Sequence, residues 1–271
     1  MYIKRKSYAK INYNLKIIEK AKNGYHKLET IMSLIDIYDE IIFEESDIIE
    51  VNVSPKICEE SDNLCYKVAN YLKKFSKEKK GIKIFINKHI PVGGGLGGGS
   101  SNAATVMMFL NLYWKLNFSK ARLMDIAFRF GADIPFFIHK KQSKVFGFGE
   151  KIVKLYTKIK KDIILIIPDF SLNTKEVFKN LDISNLRSRE NKGRDFVNDL
   201  EESANKISGN KINEIKDIVN GIGSGHSLMS GSGSVVVYYI NEETENAQDV
   251  YKQIKKSLPN CKVLVSKMKT N

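Results

Sequence analysis

The chain has 271 residues, of which 42% are hydrophobic and 28% charged, and its formal net charge is +13. This is the composition of an ordinary globular protein with enough length for one large or two smaller cores, and no apolar run approaches the roughly 20 residues of a membrane span. Cys58, Cys65 and Cys261 give an odd count without metal-ligand spacing, and the basic start MYIKRKSYAKIN lacks the apolar stretch of a signal peptide, so a reducing cytoplasm is the expected compartment.

In chain order, YAKINYNLKIIEK (8–20) alternates well enough for a strand. Asn23-Gly24 is a hairpin signal, and GYHKLETIMSLIDIYDEIIFEES (24–46) follows it. SDNLCYKVANYLKKF (61–75) predicts a helix capped by Ser61 or Asp62, with Leu64, Val68, Leu72 and Phe75 as its apolar stripe. GIKIFINKHI (81–90) predicts a strand, since Ile82, Ile84 and Ile86 alternate with Lys83, Phe85 and Asn87. After a glycine run, SSNAATVMMFLNLYWKLN predicts a helix with cap-type residues Ser100, Ser101 and Asn102, and with Ala103, Val106, Met107, Leu110 and Trp114 at helical spacing. SKARLMDIAFRFGADIPFFI (119–138) predicts another helix that ends near Gly131. Pro135 favours an extended Ile134, which puts Asp133 at a helix-to-strand break.

SKVFGFGEKIVKLY reads as a strand pair around Gly147–Gly149, and DIILIIPD (162–169) as a buried strand. Helices are then expected around 174–180, 194–207 and 211–220. The strand SVVVYYI, the helix NAQDVYKQIKKSL and the strand CKVLVSKM make a β-α-β unit. With a hinge near 150–165, the expected domains are 1–155 and 156–271.

The stretch PVGGGLGGGSSNAA (91–104) carries six glycines in seven positions. It lies between a predicted strand and a predicted helix start, where unpaired N–H groups and the helix dipole favour an anion. A glycine loop adds N–H groups that can form a nest, so the natural guest is a phosphate chain. The Walker pattern fails because Gly99 stands where its lysine belongs. The dinucleotide pattern matches only as Gly93, Gly95 and Gly98, without the acidic residue that reads the ribose. The protein-kinase loop lacks its lysine strand and its H-R-D segment.

The same stretch resembles the P-x-G-x-G-L-[GS]-S-S loop of the GHMP kinases. Its extended form, G-L-G-G-G-S-S-N-A-A, is similar to the branch of that superfamily acting on 4-diphosphocytidyl-2-C-methyl-D-erythritol. AKINYNLKI, NGYHKLETIMSLIDIYDEI, SDNLCYKVA, GADIPFF and LMSGSGSVVV resemble further segments of that branch in order. The resemblance implies an α/β (α+β) two-lobed fold, with a ribosomal-S5-like N-terminal lobe and a ferredoxin-like C-terminal lobe. It also implies an ATP-dependent phosphotransferase with an alcohol group as acceptor, phosphorylating the 2-hydroxyl of that substrate for isoprenoid synthesis.

For the catalytic pair the resemblance implies Asp133 as acceptor of the hydroxyl proton and Lys10 as the cation beside it. On residues alone, Asp133 is an ordinary turn aspartate and Lys10 one lysine among many. The implied ATP site comprises Pro91, Val92, Gly93, Gly94, Gly95, Leu96, Gly97, Gly98, Gly99, Ser100 and Ser101, with Asn63 and Lys88. Asn12, Tyr25, His26, Thr174 and Phe178 are implied for the substrate, with Asn173 in place of a family proline. Magnesium is the expected companion of ATP, with Ser101 as a candidate ligand. The expected partner is a small cytidine diphosphate alcohol, with no nucleic acid or membrane, and the assembly a monomer or homodimer. The two rivals are a homoserine- or mevalonate-type kinase and a basic nucleic-acid-binding protein. The second has the charge in its favour, but the lysines are dispersed and no nucleic-acid-binding signature is visible.

Overall fold

Two alternating segments early in the chain become two long strands, β1 (Tyr2–Lys20) and β2 (His26–Glu44), which pair with each other in the computed structural model. The structure describes residues 2–22, 24–184 and 196–270, so Asn23 of the expected turn and residues 194–195 of an expected helix lie outside it. The chain divides into two interleaved units. One comprises Met1–Ala9, Ile37–Ile90 and Gly97–Lys140, the other Lys10–Asp36, Pro91–Leu96 and Lys141–Asn271.

In the first unit, β3 (Ile49–Ser54) pairs in parallel with β4 (Ile82–Asn87), and β4 runs antiparallel to the end of β2, with Asn87 opposite Glu40. The alternation of β4 buries Ile82, Ile84 and Ile86 on one face. Helices α1 (Leu64–Lys73), α2 (Gly98–Tyr113), α3 (Lys120–Phe128) and α4 (Ile134–His139) supply the rest. Val68 and Leu72 of α1 and Val106 and Leu110 of α2 are fully buried, each such aliphatic side chain contributing about 1.5–3 kcal/mol. Phe43 stacks on Phe109 with ring centroids 3.8 Å apart.

In the second unit, the start of β2 pairs with β5 (Ser143–Gly147), which pairs with β6 (Lys151–Lys154). A separate antiparallel sheet has the order β10-β7-β9-β8, from β7 (Asp162–Ile167), β8 (His226–Met229), β9 (Val236–Tyr239) and β10 (Lys262–Lys267). Its helices are α5 (Thr174–Lys179), α6 (Glu201–Ser208), α7 (Lys211–Asn220) and α8 (Ala247–Ser257). Because β7 separates β9 from β10, the expected β-α-β unit is a split one, with the strand order of a ferredoxin-like sheet. Ile164 and Ile166 of β7 join Ile212, Ile215 and Val219 of α7 and Ile254 of α8 in one apolar core.

His226 lies in a ring cluster of this unit. Its imidazole stacks on Tyr239 at 5.0 Å and touches Phe196 at 3.9 Å. The buried Nε2 has no hydrogen-bond partner among the described residues. Burial, helped by nearby Lys161, lowers the pKa of this imidazole.

Several local expectations need correction. Helix α1 is capped by Asn63, whose side chain accepts from the Cys65 N–H at 2.8 Å, and Ser61 and Asp62 belong to a short 3-10 turn before it. Its buried face is Cys65, Val68, Ala69 and Leu72, while Phe75 lies beyond the helix and is 44% exposed. Helix α2 begins at Gly98 with Gly97 as cap, so Ser100, Ser101 and Asn102 are inside it. The helix expected from 119 ends at Phe128, close to the expected Gly131, but a second short helix follows it, and Ile134 is helical rather than extended. Proline fits the first turn of a helix because its missing N–H has no partner there anyway, and Pro135 occupies that position. The helix expected from 194 starts at Glu201. Strands β3 and β8 were not expected: β8 is four residues long without a β-branched side chain, whereas the alternating Ile49, Val51 and Val53 of β3 were a signal that was missed.

Candidate active site

Each unit contributes its own group of candidate residues. In the first, Gly97 caps α2 in the left-handed conformation, with φ 67° and no side chain to bond the helix N–H groups. The first intrahelical bond of the turn is donated by the Ser101 N–H to the Gly97 carbonyl at 2.9 Å. The N–H groups of Gly98, Gly99 and Ser100 precede it and lack helical acceptors. A Cβ built on Gly99 meets nothing within 4 Å, so there is open space beside the helix start. Unpaired N–H groups, the helix dipole and open space together favour an anion at this position.

Ser101 turns the other way. Its hydroxyl is buried, 2.6 Å from the Tyr8 carbonyl and 2.7 Å from the Ser7 hydroxyl. With those partners it does not fit a metal ligand. No cluster of three or more His, Cys, Asp or Glu suited to a metal occurs among the described residues.

Below the helix start lies a buried polar network. The Lys88 ammonium donates to the Asp39 carboxylate and, at 3.1 Å, to Asn102 Oδ1. The same carboxylate accepts the N–H groups of His89 and Ile90 at 2.7 and 2.8 Å and the Asn102 amide at 2.9 Å. Asp39 therefore fixes the chain just before the glycine run. Desolvation, the leading cause, pushes the neighbouring Cys65 thiol up to about 12. Asn63 Oδ1 is engaged as the cap of α1. Asp133 stands at the N-cap position of α4 with helical angles, and its side chain makes no capping bond.

The glycines of the second unit answer a different requirement. A Cβ on Gly95 would lie 1.9 Å from the Ser230 carbonyl oxygen, one on Gly94 2.6 Å from the Val235 side chain, and one on Gly93 2.9 Å from Ser171. The Ser230 hydroxyl donates to the Gly95 carbonyl at 3.2 Å. At 93–95 the close neighbour is thus the protein's own chain. Asn198 holds that neighbour, donating to the carbonyls of Met229 and Gly231, each at 2.7 Å. Pro91 is partly exposed and Val92 is 60% exposed, while Leu96 is buried and its carbonyl accepts the Lys10 N–H at 3.0 Å.

Lys10 itself is buried, with 3% exposure. Lys10, Asn12 and Asn14 share one face of β1, as alternate residues of a strand do. The Lys10 ammonium donates to Asn12 Oδ1 at 2.7 Å. Asn12 Nδ2 donates to the Thr30 hydroxyl at 2.8 Å, which donates to the Asn14 carbonyl at 2.5 Å. Asn12, Thr30 and Asn14 are also buried.

Of the substrate candidates, His26 and Phe178 are brought together, with ring centroids 5.4 Å apart and planes inclined by 30°. Burial, with Lys20 adding to it, lowers the His26 pKa and so favours the neutral ring. Tyr25 is 68% exposed and meets Phe148 edge-on at 6.4 Å. Thr174 bonds Ser232 through their hydroxyls at 2.8 Å. Asn173, in place of the family proline, caps α5 by accepting the N–H groups of Lys175 and Glu176 at 2.9 and 3.4 Å. Sequence reasoning missed Asp39, Thr30, Phe148 and Asn198. Only Thr30 had a visible signal, as the last residue of GYHKLET.

Comparison with known proteins adds a further observation. The GHMP kinases N terminal domain model matches residues 63–141. The chain is 37% identical over 253 residues to the 4-diphosphocytidyl-2-C-methyl-D-erythritol kinase of Clostridioides difficile, covering 87% of this chain and 86% of that one. It is 36% identical to the kinase of the same name from Clostridium beijerinckii, over 94% of this chain and 96% of the relative. The fold is similar to a crystal structure of 4-(cytidine 5'-diphospho)-2C-methyl-D-erythritol kinase, with a TM-score of 0.81 at 22% identity over 99% of this chain and all of the other.

Proposed function

The chain belongs to the family of 4-diphosphocytidyl-2-C-methyl-D-erythritol kinases, which are GHMP kinases, and from that premise we propose that it transfers the γ-phosphoryl group of ATP to the 2-hydroxyl of 4-diphosphocytidyl-2-C-methyl-D-erythritol. Identity to named kinases over nearly the whole chain is the observation that carries this reading. In the reaction the bond from the hydroxyl oxygen to phosphorus forms as the bond from phosphorus to the ADP oxygen breaks. The hydroxyl proton passes to the Asp133 carboxylate and then to water.

The chemistry asks mainly for placement and charge balance. The uncapped N–H groups at the start of α2 suit the phosphates, and Lys10 offsets the charge of the moving phosphoryl group. Magnesium accompanies ATP in this reading, held mainly by the phosphates, with Ser101 outside its ligands. Phe178 and Tyr25 offer rings for the cytosine, and the neutral His26 offers a hydrogen bond to its polar edge. A cytoplasmic location agrees with three free cysteines.

The test is ADP release with the cytidine diphosphate alcohol, mevalonate and homoserine side by side. Only the first should support turnover. Asp133→Asn and Lys10→Met should each lower kcat by about 10²-fold or more while leaving ATP affinity near normal. Parental turnover in Asp133→Asn would remove the carboxylate from the chemistry.

A further inference from the structure

We propose that Thr30 is a positioning residue that decides which end of the Asn12 amide faces Lys10, and thereby fixes the ammonium group for phosphoryl transfer. The proposal rests on the reading of Lys10 as the cation of that reaction. Its basis is hydrogen-bond polarity. A backbone carbonyl only accepts, and the Asn14 carbonyl lies 2.5 Å from Thr30 Oγ1, so the single hydroxyl proton of Thr30 is committed there. Toward Asn12, 2.8 Å away, Thr30 then only accepts. An amide has one donating and one accepting end, and an accepting Thr30 selects Nδ2. Oδ1 is left to face the Lys10 ammonium at 2.7 Å, a group that only donates. Every proton along the chain points the same way, from Lys10 toward Asn14.

The chain is held at both ends. The Asn14 side chain accepts the Ile31 N–H at 2.8 Å, which ties its residue to β2. The Asn12 carbonyl accepts the Tyr239 hydroxyl at 3.1 Å. Thr30, Asn12 and Lys10 are 1%, 2% and 3% exposed. A flipped amide in that setting would set donor against donor at Lys10, without water to relieve it. Lysine is a point charge on four rotatable bonds, and its partners decide where that charge sits. A displacement of about 1 Å in such a group costs up to roughly 10²-fold in rate.

Thr30→Val keeps the branched shape and removes both the donor and the acceptor. It should lower kcat by roughly tenfold or more, with KM for ATP and for the alcohol changed less than about twofold. Thr30→Ser should restore most of the lost turnover. In an Asn12→Ala background, adding Thr30→Val should change kcat by less than about twofold, since no amide remains to be oriented. A purely structural threonine would give the same fractional loss in both backgrounds, and that result overturns the proposal. Parental kcat in Thr30→Val alongside a crippled Lys10→Met also overturns it and leaves the reading of Lys10 standing. Parental kcat in Lys10→Met overturns both. If Thr30→Val fails to fold, Thr30→Ala enters the same cycle with the same two outcomes.

Discussion

Lys88 and Asp39 form an ion pair whose side chains are 6% and 0% exposed, directly before the glycine run. Removing one partner of a buried pair strands the other charge at a cost of about 3–5 kcal/mol, whereas replacing both by apolar groups is often neutral. Asp39→Ala and Lys88→Met should therefore each lower the urea midpoint strongly, and Asp39→Leu with Lys88→Met should lose much less than their sum. If Lys88 serves the nucleotide instead, Lys88→Met will weaken ATP binding with an unchanged midpoint.

The glycine run should respond position by position. Gly95→Ala places a Cβ 1.9 Å from a carbonyl oxygen at a residue with φ +73°, so it should destabilise the fold in calorimetry with or without ligand. Gly99→Ala meets no protein atom within 4 Å and should melt like the parent. A loss of ATP-analogue affinity in Gly99→Ala therefore reports a ligand in that space. Unchanged affinity would place the phosphates elsewhere.

Phe178→Ala removes the ring next to His26 and should raise the dissociation constant for CDP by about tenfold, the usual worth of one stacked face. Tyr25→Ala should act in the same direction, and neither should alter ATP affinity. Titration calorimetry with CDP and an ATP analogue separates the two. Parental CDP affinity in both variants would discard the aromatic cytosine site.

Folding stability should fall on acidification. The His226 pKa lies below its ordinary value of 6.5, because burial among rings and nearby Lys161 oppose its charge. Above that value the imidazole is neutral in both states and contributes no slope. As pH drops through 6.5 the unfolded chain binds the proton first, so stability declines until the folded pKa is reached. His26 acts with the same sign. Melting scans from about pH 8 to about pH 5 should show a shallower decline in His226→Phe than in the parent. Equal slopes would assign the acid sensitivity to other groups.

Strong periodicity made much of this architecture readable beforehand. The alternating isoleucines of β4 and the apolar run of β7 were identified from spacing alone, because their side-chain pattern is their structure. Helix starts were less accessible. Ser61, Asp62 and Asn63 are all good caps, and the geometry that prefers Asn63 is set by the chain before it. Likewise Ser100 and Ser101 look like caps, but Gly97 alone takes the left-handed angle that turns the chain into α2. In the site, the glycines announced close approach without saying to what. For Gly95 the neighbour is Ser230, distant in sequence, and no local pattern could name it. Asp39 was unreadable for the same reason, and Thr30, though it closes GYHKLET, gains its meaning from partners elsewhere in the chain.

Interleaving has a consequence in time. Residues 10–36, which include Lys10, Asn12, His26 and Thr30, share a unit with β10, which ends at Lys267. Ribosomes add about 5–20 residues per second, so this early segment waits on the order of tens of seconds for its last strand. All pieces of the other unit have been synthesised once Lys140 is made. Through that delay Leu34 and Ile35, buried in the finished protein, lack their backbone partners Lys269 and Met268 and are natural ground for holding chaperones. A message truncated before β10 would thus yield a chain that carries every candidate residue yet leaves the unit that contains Lys10 without its last strand.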